Sequence, residues 1–542
     1  MTRTTALILA LTPAAAAAAS DPQATFDVPD VVLKPGESRT VTVRLSAEQA
    51  AAAPALKLPA YLWFGSGEAG MAAALTVEVN GTALTDAHHP TNRPRRFRMP
   101  NRSGEQAWPL YDAKARAWTL FYDNDVLPAG KGTRYHSPEV DDYVHVFPVG
   151  RLLRAGNNTI RLGNVSEEYK VIVMSHASHE REMKRAAERF KPVPHDRILP
   201  ARRAFLAPSA EECRNRFLLA HRLLESVYND DGSWAKGYSS WSALNRPRCT
   251  HPLVRWTARP VLAYLAAHAV DSGTIYGRRA REGLEWLLGE QTEAGAFKWY
   301  WTPAGSVDGN SLYDTGIAGR ALVAGYERFK DKRYIEASTR AAKWAMGMPV
   351  SGNANYNLFT VWHLAAHYRA TRDRAVLDAA VVRTLKTLKG QTGTGMWSDH
   401  HNQQMCYHAI ITRGLVELLS VLPDDHPDRD RIEAATVRAI NHVIVEQGQD
   451  GSLRKHPSGG SWTGYAAGAA FATSALIDAR RRFGWKLDDA IAGLAAAPDG
   501  IDPAKRATWD SSLSIVIYWR ARAWAWAVDA AGGEGADGRA AP

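Results

Sequence analysis

The 542-residue sequence predicts two domains, an N-terminal antiparallel β-sandwich followed by an α/α toroid of six helical hairpins. Three observations predict it. Short apolar runs of period two, broken by turn residues, fill residues 21–180 and read as half-buried strands. The apolar spacing lengthens to that of helices over residues 209–532. A loop motif then recurs through that helical part, as a repeat architecture requires. With 45% hydrophobic and 23% charged residues, the composition is globular and excludes a disordered, collagen-like or disulfide-dense chain.

Residues 1–20, MTRTTALILALTPAAAAAAS, combine Arg3, an apolar stretch from Ala6 to Leu11 and small residues near Ala19, the three parts of a secretory signal peptide. A periplasmic or secreted protein is expected. No later segment has the length of uncharged apolar chain that a membrane span needs, so no membrane insertion is expected. Strands are expected around Val41 to Leu45, Leu75 to Val79, Trp118 to Tyr122, Tyr143 to Phe147, Thr159 to Leu162 and Val171 to Met174. Asn80-Gly81 and Pro35-Gly36 mark turns between them. Residues 181–208, with Lys184, Arg185, Arg189 and four prolines, read as a linker, and 533–542 as a disordered tail.

The loop motif has four clear copies: Asp230-Asp231-Gly232-Ser233-Trp234, Gln291 to Gly295-Ala296-Phe297, Gln391 to Gly395-Met396-Trp397, and Gln447 to Gly451-Ser452-Leu453. The gap between the second and third is close to twice the others, and weaker units fit at Gly347 to Tyr356 and Pro498 to Gly500. Each copy follows one helix and precedes another. Inner helices are expected to start near His251, Asn310, Tyr356, Asn402, Trp462 and Trp509. Such hairpins cannot bury both faces alone, whereas a closed ring buries them all.

The run Gly156-Asn157-Asn158-Thr159-Ile160 resembles the strand entry of galactose-binding-like jelly rolls attached to carbohydrate-active enzymes. The Gln-x3-Gly-x-Trp loops resemble those of α/α toroids, a group that includes terpene cyclases and carbohydrate-active enzymes of pectate-lyase-like and glucuronyl-hydrolase-like kinds. The sequence has neither the Asp-x-Asp-Asp motif of a cyclase nor the Gly-Cys-Gly-Glu-Gln of a thioester protein. The resemblance therefore implies a polysaccharide lyase or a glycoside hydrolase with an appended jelly roll.

Loops entering the inner helices of a toroid line its cleft, and the richest entrance runs from Trp397 to His408. With Asn402 as the helix cap, His401, Gln404 and His408 share one face and Tyr407 lies on its flank. His401 and His408 are the acid/base candidates, with Tyr407 as the alternative base or proton donor. Asn402 and Arg255 are candidates for neutralising a substrate carboxylate. Tyr313, Asp314, Asn357, His363, Trp397, His400 and Trp462 are expected to contact substrate. Together these types suit proton abstraction beside a uronate carboxylate and expulsion of the leaving oxygen, a β-elimination. The structural alternative is a hydrogen-bonded polar plug at the ring centre. Paired carboxylates among Asp314, Asp399 and Asp510 point instead to hydrolysis, and an inert cluster to a non-catalytic glycan-binding protein.

Lys plus Arg number 66 against 56 for Asp plus Glu, a net charge of +10, which favours an anionic partner. For an exported chain with the basic run Arg93 to Arg98, that partner is an anionic polysaccharide and not nucleic acid. Cys213, Cys249 and Cys406 allow at most one internal disulfide. No cofactor is expected. A divalent metal is the alternative reading of Asp399, His400, His401, Cys406 and His408, though no HExxH spacing supports it. The expected function is that of an exported polysaccharide lyase acting on a uronic-acid-containing polymer.

Overall fold

The computed structural model describes residues 28–532 and two short strands at 7–8 and 25–26. Outside the described residues lie 53–54, 64–70, 89–94, 99–104, 109, 122–143, 168, 182–190, 235–251, 301–306, 398–401, 403, 454–461 and 500–509. Two compact units are present, one carried by residues up to Lys191 and the other by residues from Pro192 on.

In the first unit, strands β1 (Val31–Leu33), β2 (Ser38–Leu45), β3 (Ala55–Trp63), β4 (Met71–Val79), β5 (Ala117–Phe121), β6 (Val144–Pro148), β7 (Gly156–Asn164) and β8 (Lys170–Val173) build two sheets. One runs β2-β7-β4-β5 and the other β6-β3-β8-β1, with antiparallel neighbours throughout. Alternate residues of both sheets, such as Val41, Val43, Ile160 and Leu162 from the first and Leu56, Leu58, Leu62 and Val171 from the second, enter one core. Strand β3 carries Pro59 at its centre, which a ladder tolerates only where the missing N–H has no partner to serve. Its partners change there, since β3 pairs with β6 through Ala55–Pro59 and with β8 from Ala60 on.

The Gly-Asn-Asn-Thr-Ile run works as a latch. Gly156 takes φ +96°, and the buried Asn158 side chain donates to the Arg154 and Gly156 carbonyls while accepting from the Arg154 N–H and from Asn80 Nδ2. Asn80, at φ +49°, accepts in turn from the Thr159 N–H. Two turns are thereby fixed to each other, and that use fully occupies the Asn158 side chain.

The second unit alternates outer and inner helices. The outer ones are α1 (Ala210–Glu225), α3 (Thr274–Glu290), α5 (Lys332–Gly347), α7 (Arg374–Leu388), α9 (Arg429–Glu446) and α11 (Asp488–Ala496). The inner ones are α2 (Val254–Val270), α4 (Leu312–Phe329), α6 (Ala354–Thr371), α8 (Met405–Leu419), α10 (Trp462–Phe483) and α12 (Asp510–Ala531). Each inner helix packs on the next, α2 on α4, α4 on α6, and so on to α12, which packs back on α2, while each outer helix lies on an inner partner. Among the described residues no helix is long and apolar enough to cross a membrane.

The recurring loops explain the register of this ring. Gln291 Nε2 donates to the Gly295 carbonyl of its own loop and to the Ala337 carbonyl of α5. Gln391 does the same with Gly395 and Ala435 of α9, and Gln447 with Gly451 and Ala490 of α11. Gly232, Gly295, Gly395 and Gly451 all have φ near +80 to +90° and press against a carbonyl of the following outer helix, an approach only glycine permits. At two of the places where the glutamine is missing, an arginine of the next outer helix takes over. Arg383 of α7 donates to the Ala345 and Met348 carbonyls at the end of α5, and Arg216 of α1 donates to the Ala495 and Ala496 carbonyls ending α11. The last contact joins the end of the series to its beginning.

Candidate active site

The outer helices return the chain each time, so the first turns of the inner helices share one end of the ring. Arg255, in the first turn of α2, reaches Asp314 in the first turn of α4, with Nε to Oδ1 at 2.9 Å and Nη2 to Oδ2 at 2.6 Å. The same guanidinium lies 4.4 Å from the centroid of the Tyr313 ring. Arg259, one helical turn on and therefore on the same face of α2, donates from Nη2 to the Tyr313 hydroxyl at 2.9 Å. Tyr313 meets Tyr356 of α6 at 5.8 Å between ring centroids and Phe359 at 4.2 Å.

Burial works against the charge on Arg255, and the Asp314 carboxylate outweighs it, holding the guanidinium above its ordinary range. Burial lowers Arg259, with Tyr313 opposing. Tyr407, in the first turn of α8, is raised well above the usual phenol value by burial, with Cys406, Tyr313 and Tyr356 adding to the effect and Arg255 opposing it. Tyr356 is raised too, chiefly by burial. At neutral pH both phenols are therefore protonated, suited to donate a proton and not to take one. Among the described residues of these first turns, the guanidiniums of Arg255 and Arg259 stand against the one carboxylate of Asp314.

Of the residues predicted from sequence, the structure brings Arg255, Tyr313, Asp314 and Tyr407 together here. Asn402 is close by in a different role. Helix α8 starts at Met405 with Gln404 as its cap residue, so Asn402 is not the cap; its Oδ1 accepts from the Asn355 N–H and Nδ2, and its Nδ2 donates to Asn353. His408 faces away from the centre. One residue after Tyr407 is a rotation of about 100°, which turns its ring to the outer layer, where Nε2 donates to the Ala439 carbonyl of α9 at 2.9 Å and His442 lies 4.8 Å off.

His363 is likewise between layers, its Nε2 2.8 Å from Ser338 Oγ of α5. Asn357 serves the outer face too, donating to the Ser351 carbonyl and Thr387 and accepting from Arg383. Trp397 is buried in the core of the repeat loop. The contact expected of these three with substrate is replaced by packing between inner and outer helices, which needs polar groups to register the layers.

His400, His401 and Asp399 lie outside the described residues, as do the side chains of Trp462 and Asp510 and residues 93 and 94 of the basic run. Cys213 and Cys406 are free thiols, and burial pushes Cys406 up to about 12. Among the described residues no group of three His, Cys, Asp or Glu side chains is arranged to hold a metal ion. Arg259 escaped the sequence reading. Its signal is a second arginine four residues after Arg255 in a helix otherwise almost wholly apolar.

No family model matches this chain, and no curated protein matches it. Among solved structures it is similar to a polysaccharide lyase, at 13% identity over 58% of this chain and 98% of that one, with a TM-score of 0.43. It is similar also to a family 88 glycosyl hydrolase from Bacteroides vulgatus, at 9% identity over 58% and 99% of the two chains and a TM-score of 0.43. A third similarity is to cellobiose 2-epimerase from Spirochaeta thermophila, at 14% identity over 59% and 97% and a TM-score of 0.43. All three are named for activities on carbohydrates.

Proposed function

We propose that this protein is an exported carbohydrate-active enzyme, a jelly-roll-like sandwich joined to a six-hairpin α/α toroid, and that the toroid cleaves a uronic-acid-containing polysaccharide by β-elimination. The observation that carries the reading is the positive, phenol-rich end of the inner ring. Among the described residues Arg255 and Arg259 stand against the single carboxylate of Asp314, with Tyr356 and Tyr407 held as proton donors.

A uronate carboxylate is drawn to that field, which offsets the negative charge growing on it as the adjacent carbon loses its proton. The base is assigned to His401. As it takes the proton, the electron pair of the broken C–H bond forms the new double bond and the bond to the glycosidic oxygen breaks. Tyr407 then supplies a proton to that oxygen, with Tyr356 beside it. Hydrolysis needs a free carboxyl acid and a second carboxylate across the bond, whereas both oxygens of Asp314 are held by Arg255. That engagement favours elimination over the hydrolase alternative at this position.

The test is a panel of uronate polymers offered to the full chain, with ultraviolet absorbance of the conjugated product and reducing ends read together. Elimination raises both signals. Reducing ends without absorbance reassign the enzyme as a hydrolase, and silence in both removes the catalytic reading.

A further inference from the structure

Outside the ring, the helical unit carries a cleft that the proposed reaction leaves unused. It is bounded by α9, by the run of chain before α1 and by the chain between α10 and α11. Its volume is about 580 Å³, within the roughly 300–1,000 Å³ of clefts that hold small molecules. Gly484 to Lys486 directly follow the last turn of α10, and Asp430 lies in the first turn of α9. The cleft therefore opens at the end of the ring opposite the first turns of the inner helices.

Its walls are held in place from within the fold. On α9 the lining positions 430, 433, 434 and 437 recur at three- and four-residue spacing and so share one face. Asn441 continues that series one turn on and is 0% exposed. It accepts from the Leu199 N–H at 2.8 Å and donates to the Pro194 and Arg197 carbonyls, both at 2.9 Å. One buried side chain thereby fixes residues 194–199 against α9, which sets Asp196 and Arg197 in the wall of the cleft. On the α10 side, Gly484 takes φ +68° and the Trp485 ring follows, 4.7 Å from the ring of Phe483.

The chemistry of the lining identifies the occupant. Ile198, Ala434 and Val437 are apolar and Trp485 is a half-buried aromatic, so the ligand presents an apolar face. Asp196, Asp430 and Glu433, when ionised, only accept hydrogen bonds, while Arg197 and Lys486 only donate them. Among the described residues none of these five side chains makes a hydrogen bond or an ion pair, although all line one cleft. Asp196 and Arg197 are neighbours, so acceptors and donors are interspersed and not sorted into an acidic and a basic end. A simple ion or a zwitterion is served by only part of such a rim. Hydroxyl groups donate and accept alike, and a pyranose ring carries several of them around faces made of C–H groups. Three carboxylates against two cations among the described lining residues disfavour a sugar that is itself an anion.

We propose that this cleft binds a neutral stretch of carbohydrate, with a C–H face against Trp485 and hydroxyls shared between the three carboxylates and the Arg197 and Lys486 cations. The site is separate from the uronate site at the phenol-rich end and does not depend on the reaction proposed there.

The test is electrophoresis of the folded full chain through gels containing a soluble neutral polysaccharide. A glucan, a xylan, a mannan and a galactan are tried in turn, with polygalacturonate run in parallel. At least one neutral polymer should retard the protein, and Trp485→Ala should weaken that binding by about tenfold or more. Because Trp485 also packs on Phe483, Glu433→Ala on α9 is read beside it, with roughly tenfold weakening expected from the loss of a charged acceptor. Neither variant should change retardation by polygalacturonate. Free migration of the wild type in every neutral gel overturns the proposal, as does equal retardation of the wild type and both variants. Retardation by polygalacturonate that Trp485→Ala abolishes overturns the neutral ligand. Retardation in a neutral gel that both variants lose, without cleavage of any uronate polymer, supports this site and removes the reaction proposed at the other end.

Discussion

Both oxygens of the Asp314 carboxylate are held by the single guanidinium of Arg255, across the junction of α2 and α4. Asp314 has 1% of its side chain exposed and Arg255 18%, so removing the carboxylate charge takes from Arg255 a buried partner that water replaces only in part. Breaking such a buried pair costs about 3–5 kcal/mol, while replacing both partners by apolar groups costs much less. Asp314→Asn should therefore lose roughly 3 kcal/mol in chemical denaturation, and the double change Arg255→Met, Asp314→Leu should lose less than the single one.

Tyr407→Phe removes the hydroxyl proposed to protonate the leaving oxygen and leaves the buried ring in place. Turnover on the uronate polymer that the wild type cleaves should fall by about 100-fold or more, with the melting temperature nearly unchanged. Tyr356→Phe should have the smaller effect. Equal and minor losses in the two variants would remove Tyr407 from the reaction.

The loop glycines are structural, and the ring should respond to them unevenly. A Cβ on Gly295 meets the Arg340 carbonyl oxygen at 2.5 Å, at a φ of +87°, so Gly295→Ala combines a left-handed backbone with a clash and should cost about 2 kcal/mol or more. Gly289, near the end of α3, has nothing within 4 Å of the same atom. Gly289→Ala should be neutral or stabilising by up to about 1 kcal/mol. Thermal melts of the two variants distinguish the cases directly.

Acid should destabilise both units through buried histidines. Burial pushes His145 in the first unit and His367 in the second down to about 4 from the ordinary 6.5. Between those values the unfolded chain binds more protons than the folded one, so this contribution is complete above about pH 6.5 and is lost as the pH falls towards 4. The melting temperature should drop across that window, and His367→Gln should flatten the drop for the helical unit.

How much of this was legible beforehand follows from what each pattern encodes. The starts of the inner helices are readable to within about three residues, because Gly295, Gly395 and Gly451 with their glutamines repeat one loop geometry whose physical demand is the same each time. Strand β3 was not readable, since its run is apolar but for Lys57 and carries Pro59. Side-chain direction was the harder problem. Helix α6 is buried on every side from Ala354 to His367 except at Tyr356, so hydrophobic periodicity does not separate its central face from its outer one. His363 and Asn357 were assigned to the centre on polarity, which serves equally well between layers, and His408 on a helix face reckoned from Asn402 as the cap, whereas the cap residue is Gln404. Tyr313, Asp314 and Arg255 meet in the structure because first-turn positions converge whatever the rotation of the helix. Arg259 needed the pairing across helices, which no single segment contains.

The Arg216 contact from α1 to the end of α11 gives the helical unit a property that open stacks of helical pairs lack. An open stack has a first and a last member, each with an apolar flank that must be disguised by polar substitution. Here every flank is already covered by a neighbour, so no member is specialised as an end. Substitutions that polarise an outer face are therefore free to differ from hairpin to hairpin, and the places where the chain enters and leaves the circle are set by connectivity and not by a need for protection from water.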